Sequence, residues 1–209
     1  LIACAAGTWR GRGHWHLLLG GALLFAVYTF AIYAFSVHFN ELFLVYCAAL
    51  GLSSYLAVFL LRSLRPDDVR ARPDRRAPVR STAALLLAIG GIFALLWLAE
   101  IVPAIAAGRA PDSVASAGLP TNPVHVLDLA IVLPAHLLAG AALLRRHPAG
   151  ALLAPVVLAF GVPMAASIGG MMIVMHLLGT PVAIPVVAAM IGVAAISAAA
   201  LARFLRALG

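Results

Sequence analysis

The stretch WHLLLGGALLFAVYTFAIYAFS (residues 15–36) runs for 22 residues without an Asp, Glu, Lys or Arg. A helix rises about 1.5 Å per residue, so such a stretch crosses the roughly 30 Å hydrocarbon core of a bilayer. Five further segments read the same way, at about 41–62, 82–106, 123–144, 149–178 and 181–204. The fifth is long enough to be tilted or broken. The expected fold class is therefore all-α. It is a polytopic transmembrane helix bundle, a single integral membrane domain over residues 1–209, with six spans in this chain.

Composition points the same way. Apolar residues make up 64% of the chain and charged residues 10%, with a mean hydropathy of +1.08. Soluble domains are about half apolar and about a quarter charged. A disordered chain, a nucleic-acid-binding domain and an ordinary soluble enzyme are thereby excluded, and the lipid bilayer is the implied partner. Cys4 and Cys47 lie in or beside apolar segments and imply no disulfide framework.

The net charge of +7 comes from 14 Arg and no Lys, against 7 acids. Without Lys there is no Schiff base, which excludes a retinal-linked photoreceptor. A pI of about 10.7 would suggest nucleic acid in a soluble chain. Here the Arg residues sort by side of the membrane instead. With the N-terminus inside, 13 of the 14 fall on the inner face and only Arg109 lies outside. The positive-inside rule then predicts cytoplasmic N- and C-termini, a cytoplasmic basic loop at 63–81 and an outer loop at 107–122. The basic run RSLRPDDVRARPDRRAPVR (62–80) is also suited to anionic lipid. Abundant Ala, Leu, Val and Arg suggest a GC-rich bacterial genome, hence a bacterial cytoplasmic (inner) membrane. The opening LIACAAG reads as the tail of an apolar segment, so more spans are expected upstream.

Local signals place the helix ends. Asn40-Glu41, Asn122-Pro123 and Thr180-Pro181 read as caps with first turns, and Pro148 opens the fifth span. Pro134, Pro155 and Pro163 lie within spans and predict kinks. Trp9 and Trp15 flank the first span like an interfacial belt. Gly20-Gly21, Gly90-Gly91, Gly169-Gly170 and Ala188 with Gly192 let helices approach closely. The same small-residue faces are candidate contacts for homo- or hetero-oligomers. The segment GRAPDSVASAGLPTNPV (108–124) reads either as a lid over the outer mouth or as a plain loop.

Ionisable groups in a span are costly and by default face the bundle interior or a wet cavity. Here they are His38, Glu41, Glu100, His125, Asp128, His136 and His176. All but His136 fall near the outer ends of their spans. At about 100° per residue, Asn122, His125, Asp128 and His136 share one stripe on the fourth span. Glu100 stands one turn after Trp97 on the third. Asn40, Cys47 and Ser54 recur every seven residues on the second. Thr29, Tyr33 and Ser36 share a face of the first, and Met172 and His176 share one of the fifth. These faces predict a polar pocket in the outer half of the bundle, walled by the first five spans.

The candidate proton- or solute-binding residues are Glu100, Asp128, His125, Asn40, Glu41 and Tyr33. His125, Asp128, His176 and Glu100 are the candidate ligands for a divalent metal. Met171 and Met175 form an MxxxM pair suited to copper(I), although a Met stripe also serves as packing. His136 has no partner at its level for a haem, and a bond to a carbonyl near Pro134 is its structural alternative. There is no GxSxG, HExxH, phosphate loop or CxxC to signal nucleophilic catalysis.

Three blocks carry a resemblance: YTFAIYAFSVHFNELFLVYCAALGLSSY (28–55), LLWLAEIVPA (95–104) and LPTNPVHVLDLAIVLPAHLLAGAALLRRHPAGALLAP (119–155). They resemble a family of bacterial multi-pass membrane proteins without an assigned activity. The resemblance implies architecture, with perhaps eight spans in the full-length chain, and no catalytic residue. Three functions remain in view. The first is a small-solute or ion transporter, or proton-linked permease, using Glu100 and Asp128 with His125 as relay. The second is a metal-dependent membrane enzyme acting on lipid or an extracytoplasmic substrate. The third is a non-catalytic subunit or assembly factor of a larger membrane complex.

Overall fold

The computed structural model describes residues 1–9, 13–63 and 78–207. Among the described residues every regular element is helical. In chain order they are α1 (Ile2–Trp9), α2 (Gly13–Ser36), α3 (Phe43–Ser63), α4 (Val79–Ala106), α5 (Asp112–Ala117) and α6 (Pro123–Leu127). A π-helical turn (Asp128–Val132), α7 (Leu133–Leu144), α8 (Pro148–Leu177) and α9 (Ile184–Arg206) follow. Six stretches are long and apolar enough to cross a membrane: His14–Ser36, Phe43–Ser63, Val79–Ala106, Pro123–Leu144, Pro148–Leu177 and Ile184–Arg206. The chain is a polytopic helix bundle, as its apolar runs predict.

The helix ends follow local chemistry. Asn122 caps α6, its side-chain oxygen accepting from the Val124 N–H at 2.9 Å. Asn40 accepts from the Leu42 N–H at 2.9 Å and donates to the His38 carbonyl. It thereby shapes a turn, and α3 begins at Phe43. Thr180-Pro181 does not open the last span. Pro185 has no N–H to give to the carbonyl of residue 181, so it fits only in a first turn, and α9 starts at Ile184. α8 continues through Pro155 and Pro163 without a break. Its 30 residues are about 45 Å long, more than a bilayer core needs, which a tilt accommodates.

α8 is the central post. In its most apolar window 56% of residues are buried, against 11% for α3 and for α4. α2, α7 and α9 pack on α8, α4 packs on α7, and α3 packs on α2. On α3 only Ser53 and Ala57 are buried, while Leu52, Tyr55, Leu56 and Phe59 face outward. Such an apolar surface suits lipid contact. Cys47 is exposed too, and Asn40 lies before α3, so the expected seven-residue stripe does not face the bundle interior as a unit.

Close approach is set by single glycines of each pair. A Cβ on Gly21 would sit 2.6 Å from the Val156 carbonyl oxygen and 2.5 Å from the Ala159 Cβ, so α2 and α8 touch there nearly backbone to backbone. Gly170 faces open space. The largest buried apolar cluster joins Ala83, Leu86, Ala139, Leu143, Ala154, Leu158 and Phe204. These residues all lie toward the bundle end where Arg80, Arg145, Arg146, Arg203 and Arg206 emerge. Arg109 stands at the opposite end, exposed and paired with Asp112 at 2.6 Å. Arg10, Arg12 and most of the basic loop, residues 64–77, lie outside the described residues.

Gly21→Ala forces α2 off α8 and is expected to cost about 1–3 kcal/mol, as overpacking does. Gly170→Ala meets no neighbour and is expected to be neutral or to gain up to about 1 kcal/mol of helix propensity. Thermal unfolding of the two purified variants in the same detergent distinguishes them.

Candidate functional site

Pro134 is where the site begins. It has no N–H, and its ring crowds the carbonyl four residues earlier. The turn before it widens, and the Leu133 N–H reaches back five residues to the Asp128 carbonyl. Such π turns interrupt α-helices frequently at functional sites. The widened turn starts at Asp128, whose side chain enters the bundle and is 6% exposed.

A carboxylate in that position needs donors, and two helices supply them. The Tyr28 hydroxyl on α2 donates to Asp128 Oδ1 at 3.0 Å. The Trp97 indole N–H on α4 donates to Oδ2 at 2.8 Å. Each oxygen has its own donor, so Asp128 ties three helices together. The other face of Trp97 carries His125, with ring centroids 4.6 Å apart. His125 Nε2 lies 3.6 Å from Glu100 Oε2. That is too long for a hydrogen bond, and among the described residues this buried nitrogen has no other partner. Glu100 Oε1 accepts from the Ser113 N–H on α5 at 3.3 Å. The result is an unbroken row: Tyr28, Asp128, Trp97, His125, Glu100 and Ser113.

The row leads from the interior toward the 107–122 end. Asp128 and His125 are buried, whereas the Glu100 side chain is 31% exposed. The 107–122 segment folds back over this end. Val114 on α5 is buried, and the Ser113 hydroxyl is buried without a partner. The segment thus packs against this end of the bundle through α5.

The expected residues divide cleanly. Glu100, His125 and Asp128 come together. Asn40 is taken up by its turn, and Glu41 is exposed in the same turn. Tyr33 is exposed, its ring beside those of Phe30 and Tyr46. His38 and His176 are exposed, as are Met171 and Met175. Among the described residues no three His, Cys, Asp or Glu side chains gather as a metal-holding group. His125, Asp128, His176 and Glu100 are therefore not assembled as a ligand set. His136 is buried deeper on α7, with Nδ1 bonded at 2.8 Å to the Val132 carbonyl, close to Pro134.

Three residues of the row were not foreseen as functional. Tyr28 lies seven residues after Gly21, on the same helix face as the contact with α8. That spacing marks it as inward-facing more firmly than Tyr33. Trp97 lies three residues before Glu100 and shares its face. Ser113 carried no signal, because its part comes from the return of the outer segment.

Tyr28→Phe and Trp97→Phe each leave one Asp128 oxygen without a donor, and each is expected to cost about 1–3 kcal/mol. The combined Tyr28→Phe, Trp97→Phe, Asp128→Leu variant removes all partners at once and is expected to recover most of that loss. Detergent-denaturation midpoints of the three proteins test the asymmetry. Comparison with protein families, curated proteins and solved structures finds no match to this chain, so the chemistry of the site rests on its own geometry.

Proposed function

We propose that the protein is a proton-linked permease for a small solute or ion. In this reading it resides in a bacterial inner membrane with both ends of the chain cytoplasmic. The carrying observation is the Glu100–His125 pair: a partly exposed carboxylate 3.6 Å from a buried imidazole nitrogen with no other partner among the described residues. Glu100 takes up a proton from the outer aqueous phase, and His125 receives it in the interior. An imidazole nitrogen can accept a proton while its partner nitrogen gives one up, which suits a relay. Asp128, satisfied by Tyr28 and Trp97, serves as the anionic anchor that holds Trp97 against His125.

The 107–122 segment acts as the outer gate. Its contact with the pair is the Ser113 N–H on Glu100 Oε1. A charged carboxylate holds such a donor more strongly than a neutral one. Protonation of Glu100 therefore loosens α5, and loss of the proton inward draws it back. The apolar cluster closes the bundle at the arginine-bearing end and α5 packs over the other, consistent with an occluded state. The orientation is supported by the charge asymmetry: of the described Arg residues, only Arg109 stands at the gate end.

Reconstitution into proteoliposomes with a pH-sensitive dye inside tests this reading. Under an imposed pH gradient the wild-type protein is expected to dissipate it faster than protein-free liposomes. Glu100→Gln and His125→Gln, checked as folded by size exclusion, are expected to fall to the protein-free rate. Folded Glu100→Gln protein with the wild-type rate would overturn the proposal.

A further inference from the structure

Beneath the polar row lies a cavity of about 110 Å³ between α2, α8 and the π-turn–α7 segment. Its walls are apolar, with Leu24, Val27, Ile131, Val157 and Phe160 among them, and two polar residues reach it, Tyr28 and His136. Ile131 is largely exposed on the bundle flank, so the cavity opens sideways, about half-way along the spans. The Tyr28 hydroxyl proton is committed to Asp128. The unassigned group is His136.

His136 is 3% exposed and makes a single hydrogen bond among the described residues, from Nδ1 to the Val132 carbonyl. A carbonyl only accepts, so Nδ1 carries the proton. In the neutral ring Nε2 is then a bare acceptor. It points toward α8, 3.8 Å from where a Cβ on Gly161 would sit, at the wall made by Phe160. An acceptor in an otherwise apolar cavity selects a ligand with a hydrogen-bond donor on an apolar body. At about 110 Å³ the cavity is smaller than the roughly 150 Å³ that encloses benzene, so a single ring fits only with part of it projecting through the side opening. The edge of Phe160 against Tyr28, 5.7 Å apart and near perpendicular, supplies an aromatic wall.

We propose that this cavity is a binding site for a phenolic ring, reached from the bilayer, whose hydroxyl donates to His136 Nε2. The sideways opening favours a ring carried on an apolar tail over a free phenol. The site uses neither Glu100 nor His125 and shares with the polar row only the ring of Tyr28.

The test uses the full chain in nanodiscs and ¹⁹F NMR titration with 4-fluorophenol and its isostere 4-fluorotoluene, against empty nanodiscs. Saturable binding of 4-fluorophenol is expected, about 3–10-fold tighter than 4-fluorotoluene, the worth of one net hydrogen bond. Ala135→Phe, which fills the cavity from its wall, is expected to abolish it. Displacement by 4-decylphenol at lower concentration than by 4-methylphenol assigns the ligand to a tailed lipid, and equal displacement to a free phenol. No saturable binding of 4-fluorophenol to the wild-type protein would overturn the proposal, as would equal affinity for the two probes. Unchanged binding in folded Ala135→Phe protein would overturn it too.

Discussion

A carboxylate within a membrane span has to be answered by donors, and at Asp128 they come from two other helices. In lipid the apolar faces of helices gain little by meeting each other, because the surrounding tails are equally apolar. Association then relies on close packing and on polar ties. Tyr28 and Trp97 hold the two oxygens of Asp128, and through them α2 and α4 are fixed against the π turn. The neighbouring side chains toward the 107–122 end follow from that tie. Trp97 so held offers its face to His125, and His125 so placed looks toward Glu100.

The bundle is divided along its length. Toward the arginine-bearing end, Leu86, Leu143, Leu158 and Phe204 close the interior with apolar side chains. Toward the other end the interior is polar, and the return segment with α5 covers it. Close helix contact at Gly21 draws α2 onto α8, and the π turn moves the fourth span away from ideal register. Between those two departures lies the side cavity in which His136 keeps a nitrogen without a partner. Polar row and cavity share Tyr28, whose hydroxyl belongs to one and whose ring belongs to the other.

The acids and histidines of the site were legible because an ionisable group in a long apolar run is conspicuous. Glu100, His125 and Asp128 stood out for that reason, and they meet. The residues that answer them did not stand out. Tyr and Trp are unremarkable in a span, so Tyr33 was as plausible as Tyr28 until the Gly21 contact fixed the rotation of α2. Of the stripe Asn40, Cys47 and Ser54, only the last two lie on α3, because Asn40 is taken up by the turn before it, and Cys47 is exposed. Spacing defines which residues share a face, and it is silent on what the face meets.

The amino-acid sequence by itself determined six apolar spans, their approximate ends and the asymmetric placement of arginine, because hydropathy and charge are local properties of the chain. It also marked Asn122 as a cap and Pro134 as a disturbance in the fourth span. Tertiary structure alone decided that Asp128 bonds to Tyr28 and Trp97, that Glu100 faces His125, and that α5 returns onto Glu100. Those pairings depend on the relative rotation and register of separate helices. In lipid these are set by a few close contacts and polar ties, and no pattern within one helix encodes them.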